Sequence, residues 1–256
     1  MGSILLSVII PCYNEESNLK RGVLKSVYNY LKDKNFSWEV IISDDGSSDQ
    51  SLDLINKEVS KYKNFKVLEN PHGGKPYALF YGIKKSKGNY ILFTDMDQST
   101  PITELEKLIP YIENGYDAII GSRGLKRKNF PLYRKLGSFV FASFRKLFLL
   151  PNIDDTQCGF KLFKKSVLLE TFPSLEFFKK TKEVKGWTVT SYDVELLHLI
   201  NKIGGKIREV KVLWKDEDIS TSKGSALKRY LKESVDMFKQ VLRVKINDLK
   251  GMYSKL

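Results

Sequence analysis

Residues 5–16 read LLSVIIPCYNEE: a run that is apolar apart from Ser7, then a proline and a polar turn ending in two glutamates. A nearly continuous apolar run, as opposed to an alternating one, belongs to a strand covered on both faces. Leu19, Val23, Val27 and Leu31 follow at helical spacing and predict a helix that begins near Glu15. The same unit recurs along the chain. WEVIIS (38–43) leads into the turn DDGSSDQS (44–51) and a helix carrying Leu52, Ile55 and Val59. FKVLE (65–69) leads through NPHGGKP (70–76) into a helix that ends near Gly88, and YILFT (90–94) and DAIIG (117–121) complete the set. Strands alternating with helices predict an α/β fold, a Rossmann-like, mostly parallel sheet flanked by helices. In such sheets ligands bind beyond the carboxyl ends of the strands. PCYNE, DDGSSD, HGGK, DMDQ and GSR are therefore expected to face one crevice.

The chain has 256 residues, 42% of them hydrophobic and 29% charged, which suits one sizeable globular domain. Forty-three Lys and Arg against 30 Asp and Glu give a formal net charge of +13, a field that attracts phosphates, nucleic acid or an anionic membrane. Cys12 and Cys158 are too few for a disulfide framework and fit a reducing, cytosolic setting. SILLSVII lacks the basic start of a signal peptide, and no apolar run reaches the ~18 residues of a membrane span.

After residue 125 the pattern changes. The basic stretch LKRKNFPLYRK (125–135) leads to an aromatic helix, then DDTQCGF (154–160), a Lys-rich loop near 180, SYDVELLHLI (191–200), the strand-like KIREVKVLW (206–214) and a helix from about Ala226. Neither a repeat nor a low-complexity linker separates this part, which reads as a second lobe of the same domain.

Asp95 and Asp97, one residue apart at the end of YILFT, are the residues that carry chemistry most directly. A pair of carboxylates at a strand end suits a hard divalent cation, which takes oxygen ligands and shares them with substrate phosphates. Such pairs also form turns and helix caps. The rest of the rim favours the first role. SVIIPCYNEE, ISDDGSSDQS, GGK, TDMDQSTP and GSR stand in the order and spacing of family 2 glycosyltransferases of GT-A fold, which this chain resembles over most of its length. DDTQCGFKLF and YDVELLHL are similar to the dolichyl-phosphate β-glucosyltransferase branch.

The resemblance implies a single GT-A domain over residues 1–256, with a nucleotide-sugar-binding half (1–124) and a C-terminal acceptor and membrane-interface half (125–256). It implies that Pro11, Tyr13 and Glu15 cradle the nucleotide, with Asp44 or Asp45 on the base. Asp95 and Asp97 would bind Mg²⁺ or Mn²⁺ and the donor, with Gln98 beside them, while Lys75 and Arg123 face phosphates. Arg134 and Ser138, four residues apart and so on one helical face, match positions that bind lipid phosphate in polyprenol-phosphate enzymes. Asp193 is the candidate for a general base, with helix N-capping as its competing role. His72 and His198 have no metal-ligand spacing, and His198 reads as helix packing.

The implied reaction is inverting transfer of a hexose, glucose from UDP-glucose, to dolichyl or polyprenyl phosphate. The alternatives are mannose from GDP-mannose and a glycan acceptor. Members of the branch carry an N-terminal anchor that is not legible ahead of the first strand here. Attachment is therefore expected through Tyr133 to Ile153, where Phe139, Phe141, Phe144, Leu147 and Phe148 mix with Arg134, Lys135, Arg145 and Lys146, as in a helix lying in a membrane interface. The expected place is the cytoplasmic face of a membrane, bound peripherally. A dinucleotide-binding dehydrogenase is excluded because PCYNEE replaces its glycine-rich turn. A nucleic-acid-binding module would leave the carboxylate rim unexplained, so no nucleic-acid partner is expected.

Overall fold

The computed structural model describes residues 5–124, 141, 143–179, 192–215, 226–254 and 256, with 226–234 and 236 as backbone. Seven strands make one sheet: β1 (Leu5–Cys12), β2 (Ser37–Asp44), β3 (Phe65–Glu69), β4 (Tyr90–Phe93), β5 (Ala118–Ser122), β6 (Lys161–Lys164) and β7 (Ile207–Lys211). Their order is β3-β2-β1-β4-β6-β5-β7. β1 runs parallel to β2 and β4, β2 to β3 and β5 to β7, whereas β6 is antiparallel to both β4 and β5.

The helices are α1 (Glu16–Lys20), α2 (Val23–Leu31), α3 (Ser51–Val59), α4 (Lys75–Lys85), α5 (Leu105–Leu108), α6 (Pro110–Glu113), α7 (143–148), α8 (Lys165–Thr171), α9 (Tyr192–Lys202) and α10 (Ala226–Leu249). They cover both faces of the sheet, which is why the strands are apolar without alternation. Ile9, Ile41, Phe93, Ile120 and Phe163 point to the side of α4, α8, α9 and α10. Val8, Ile10, Val40, Leu92, Ile119 and Leu162 point to the side of α2, α3 and α5. Burying each such side chain contributes about 1.5–3 kcal/mol.

Two departures from the sequence reading have physical reasons. The single helix expected after Glu15 is two, because Gly22 takes φ 77° and turns the chain between α1 and α2. Leu19, Val23, Val27 and Leu31 still reach one core. The strand β6 has no counterpart in the sequence reading. Lys161 interrupts its apolar pattern, yet that lysine is only 1% exposed, because a carboxylate and a carbonyl from elsewhere in the fold receive its ammonium.

The membrane-interface reading of Tyr133 to Ile153 needs correction where the structure describes it. Phe141 is buried and its ring centroid lies 5.6 Å from that of Phe238 in α10. Arg145 is 2% exposed and donates to the carbonyl oxygens of Ile153 and Asp154, each at 2.8 Å. Both therefore belong to the core side, where carbonyls freed in an irregular stretch receive one end of the Arg145 guanidinium. Leu147 and Phe148 remain exposed, and Lys146 pairs with Asp154. Arg134, Lys135, Ser138 and Phe139 lie outside the described residues.

Candidate active site

The carboxyl ends of β1, β2, β4 and β5 open on one rim, and hydrogen bonds tie the loops after them together. Pro11 is buried in β1 opposite Ser43 of β2, beyond the last residue of β1 paired with β4, so its missing N–H leaves no ladder bond unmade. Tyr13 stacks on His72, centroids 4.5 Å apart. Asn14 adopts φ 56° and its side chain meets the backbone of Ser48 and Asp49. The Glu15 backbone N–H donates to Ser51 Oγ at 2.7 Å, and its carboxylate accepts from Asn18 at 2.6 Å.

Asp44 and Asp45 are engaged within the protein. The Asp44 carboxylate accepts from the N–H groups of Gly46 and Ser47 at 3.1 and 3.0 Å and from the Ser47 hydroxyl at 2.6 Å. Asp45 is fully enclosed and accepts from the N–H groups of Gly73 and Gly74 at 2.9 and 2.8 Å, with His72 Nδ1 2.8 Å from its Oδ2. Burial pushes the Asp45 carboxyl up, opposed by those amides. Asp45 thus holds the Gly73–Gly74 turn that starts α4.

That turn places Lys75 against the acidic pair. Lys75 Nζ donates to Asp95 Oδ1 at 2.5 Å. Burial works against both charges, but their attraction prevails: Asp95 is held below the usual carboxylate range, helped by Lys161 and Arg123, and Lys75 is held above the usual lysine value. The other oxygen of Asp95 lies on Gly159, where a Cβ would sit 1.9 Å from Oδ2. Only a residue without a side chain fits there.

Asp97 differs. It accepts from the Ser99 N–H at 2.8 Å and the Ser99 hydroxyl at 2.9 Å, and among the described residues it makes no ion pair. Burial and the neighbouring Asp95 charge push its carboxyl up, against the Ser99 donors. Gln98, at φ 52°, closes the turn by donating to the Asp95 carbonyl at 2.9 Å and Thr94 Oγ1 at 3.2 Å. A non-glycine residue in the left-handed region at this place is the kind of local strain that accompanies functional turns.

Two further ion pairs complete the rim. Arg123, just past β5, makes a two-pronged contact with Asp155, Nε to Oδ2 at 2.7 Å and Nη2 to Oδ1 at 2.8 Å. Burial opposes both charges, yet the contact holds the Asp155 carboxyl far below its ordinary range and raises Arg123. The loop bearing Asp155 is pinned by Arg145 on its carbonyls and by Glu209, whose carboxylate accepts from the N–H groups of Asp154 and Asp155 at 2.7 and 2.8 Å. Lys161 Nζ donates to Asp193 Oδ1 at 2.6 Å, near the start of α9. Asp193 is therefore an ion-pair partner in the structure and makes no cap contact among the described residues.

The structure thus brings together Tyr13, Glu15, Lys75, Asp95, Asp97, Gln98, Arg123 and Asp193 from the sequence reading, whereas Arg134 and Ser138 lie outside the described residues. His198 is buried in α9, its Nε2 3.1 Å from Asp248 of α10, a packing position far from any ligand set. Sequence reasoning did not single out Asp155, Lys161, Ser99 or Gly159. The signals available were the motif DDTQCGFKLF, which holds Asp155, Gly159 and Lys161, and the charge of Lys161 inside an apolar run.

No group of three His, Cys, Asp or Glu side chains suited to a metal occurs among the described residues. Asp95 and Asp97 supply hard oxygen donors, and Asp97 makes no ion pair among the described residues. This donor set fits a divalent ion that completes its shell with substrate phosphates and water. No helix among the described residues is long and apolar enough to cross a membrane.

The family model of glycosyl transferase family 2 matches residues 7–172. The dolichyl-phosphate beta-glucosyltransferase of Dictyostelium discoideum is 32% identical over 270 residues, covering 98% of this chain and 77% of that protein. The human protein of the same name is 33% identical over 229 residues, covering 82% of this chain and 67% of its own length. Among solved structures, a mannosyltransferase from Pyrobaculum calidifontis in complex with GDP-Man and Mn²⁺ superposes with TM-score 0.63 at 16% identity, over 94% of this chain and 65% of that one. Glucosyl-3-phosphoglycerate synthase from Mycobacterium tuberculosis, in complex with Mn²⁺, UDP and phosphoglyceric acid, gives TM-score 0.61 at 16% identity, over 94% of this chain and 78% of that one. At such identities the structural likeness shows the fold, which is GT-A.

Proposed function

We propose, on the premise that this chain belongs to glycosyltransferase family 2, that it transfers glucose from UDP-glucose, with inversion, to dolichyl or another polyprenyl phosphate. The dolichyl-phosphate beta-glucosyltransferases it resembles over nearly its whole length support that donor and acceptor. The observation in the molecule that carries the reading is Asp97. It makes no ion pair among the described residues and stands beside an Asp95 that Lys75 already neutralises.

Asp97, with Asp95 beside it, would hold Mg²⁺ or Mn²⁺, which when bound supplies positive charge to the departing nucleoside diphosphate. Lys75 fixes Asp95, Gly159 leaves room for it, and Ser99 fixes Asp97, so the carboxylates are oriented before the donor arrives. Tyr13 and the loop through Glu15 form the wall for the nucleotide. The acceptor explains why Asp193 can be held by Lys161 without being a base. A phosphate monoester, with its second pKa near ~6, arrives already anionic and needs positioning and charge screening instead of deprotonation. Arg123 lies on the rim for that work, and Arg134 and Ser138 are proposed to bind the acceptor phosphate. Such an acceptor places the enzyme peripherally on a membrane, with the cytoplasmic face as the proposed side.

A panel of UDP-glucose, GDP-mannose and other nucleotide sugars, each with polyprenyl phosphate and the matching free polyprenol, tests this reading. Transfer from UDP-glucose to the phosphate alone is the expected result. Equal use of the free alcohol, or an Asp193→Asn variant that folds but is dead, would replace it with a base-dependent glycan transferase.

A further inference from the structure

A surface helix needs one apolar stripe to hold it to the core, and α10 has two. Val241 and Val244 are buried and, with Met237 and Phe238, pack toward the sheet. Val235, Leu242, Ile246 and Leu249 are 50%, 44%, 47% and 75% exposed. At 100° per residue these four fall within a sector of about 60° that adjoins the buried stripe at Phe238 and faces away from Val244, along about 21 Å of helix.

The outer stripe is not isolated. Phe238 lies three residues after Val235 and four before Leu242, so it borders the stripe. Its ring is 5.1 Å from that of Phe144 in α7, which is 4.6 Å from the ring of Phe148. Phe148 and Leu147, 77% exposed, extend the apolar surface onto α7. Contiguous exposed apolar surface of this kind marks an interaction site.

The charges beside it choose the partner. Lys250 flanks the outer stripe on one side and Lys245 on the other by helical position. The acid of this stretch whose contacts are described, Asp248, is turned to α9, where it pairs with Lys202 and His198. In a chain of net charge +13, two copies meeting through this stripe would oppose lysines to lysines, whereas an anionic bilayer complements them. We infer that the outer face of α10, continued by Leu147 and Phe148, is the surface by which the protein lies on an anionic bilayer, with Val235, Leu242, Ile246 and Leu249 below the headgroups. The inference rests on the lipid-phosphate acceptor of the proposed function and adds which face meets the lipid.

The test is flotation of the full chain with vesicles of phosphatidylcholine alone or with phosphatidylserine, for wild type, a Leu242→Ser/Ile246→Ser/Leu249→Ser variant, and Leu169→Ser, an exposed leucine on α8. Wild type and Leu169→Ser should float with the anionic vesicles, and the triple variant should bind at least about tenfold more weakly. Transfer to a short, water-soluble polyprenyl phosphate, assayed on the same preparations, should be unchanged in all three. Wild-type affinity in the triple variant, or no flotation of wild type, overturns the bilayer surface while that transfer still reports on the proposed function. A wild-type dimer that the triple variant converts to monomer, by light scattering without lipid, overturns it in favour of a second copy. Loss of the soluble reaction in wild type would instead sink the proposed function.

Discussion

Asp155, Asp193 and Asp95 on one hand, and Asp97 on the other, occupy the same rim and have opposite surroundings. The first three each meet a cation supplied by the chain: Arg123 at 2.7 Å, Lys161 at 2.6 Å and Lys75 at 2.5 Å. Asp97 meets two donors from Ser99 and stands beside another carboxylate. The difference teaches where the fold is finished and where it waits for something. A paired carboxylate inside a protein is structural until shown otherwise, whereas one whose charge is disfavoured by its own surroundings has a reason to recruit an external cation.

Removing Asp97 breaks the comparison most directly. Asp97→Asn is expected to reduce transfer by about 10²–10³-fold or more, because the charge that offsets the leaving diphosphate loses its anchor. The same variant should be no less stable than wild type without metal at neutral pH. The raised Asp97 carboxyl contributes stability only below the ordinary carboxylate range and loses it as pH rises through its own folded value. Turnover and thermal unfolding of one preparation check both; a dead variant that is also strongly destabilised would make Asp97 a structural residue like its neighbours.

Gly159→Ala attacks the paired side. The added Cβ would fall 1.9 Å from Asp95 Oδ2, so Asp95 must leave its contact with Lys75 or the Gly159 loop must shift. Transfer should fall by about 10²-fold, with a weaker affinity for UDP-glucose by calorimetry. Unchanged binding and rate would mean that the Asp95 position is not used.

Breaking the Arg123–Asp155 pair should lower stability, and where Arg123 itself is replaced, acceptor use as well. Arg123→Met leaves a buried carboxylate without its cation and is expected to cost about 3–5 kcal/mol in urea unfolding. The pH dependence follows from the depressed Asp155 carboxyl. Its contribution is complete above the ordinary carboxylate value, about 3.9, and disappears as pH falls toward its lower folded value. Asp155→Asn should therefore flatten the acid side of the stability curve. A slope below about pH 4 equal to that of wild type would show that the pair is not an acid-sensitive element.

The smallest effect is expected for Asp193→Asn. It removes the charge that Lys161 meets but keeps an oxygen to accept its proton, and with polyprenyl phosphate it should retain turnover within about tenfold of wild type. A loss as large as that of Asp97→Asn would place Asp193 among the groups that act on the acceptor.

Much of this molecule was legible in its residues alone, wherever local pattern and local structure coincide. The parallel strands β1 to β4 announce themselves as apolar runs because helices cover both faces of the sheet, and the turns after them announce the rim because polar residues gather there. Asp95 and Asp97 follow a strand directly, so their adjacency in sequence is adjacency in space. Tertiary structure alone decided the rest. The strand β6 is hidden by Lys161, whose burial makes sense only beside Asp193, 32 residues away in sequence. Phe141 and Arg145 read as a membrane face until Phe238 and the carbonyls at 153–154 supply their partners. The roles of Asp95 and Asp97 were set in the same way. Two aspartates in one short turn look equivalent in a sequence, and they differ because α4 brings Lys75 within 2.5 Å of one, while the other makes no ion pair among the described residues. A charge is defined by its partners, and partners distant in sequence are chosen by the fold.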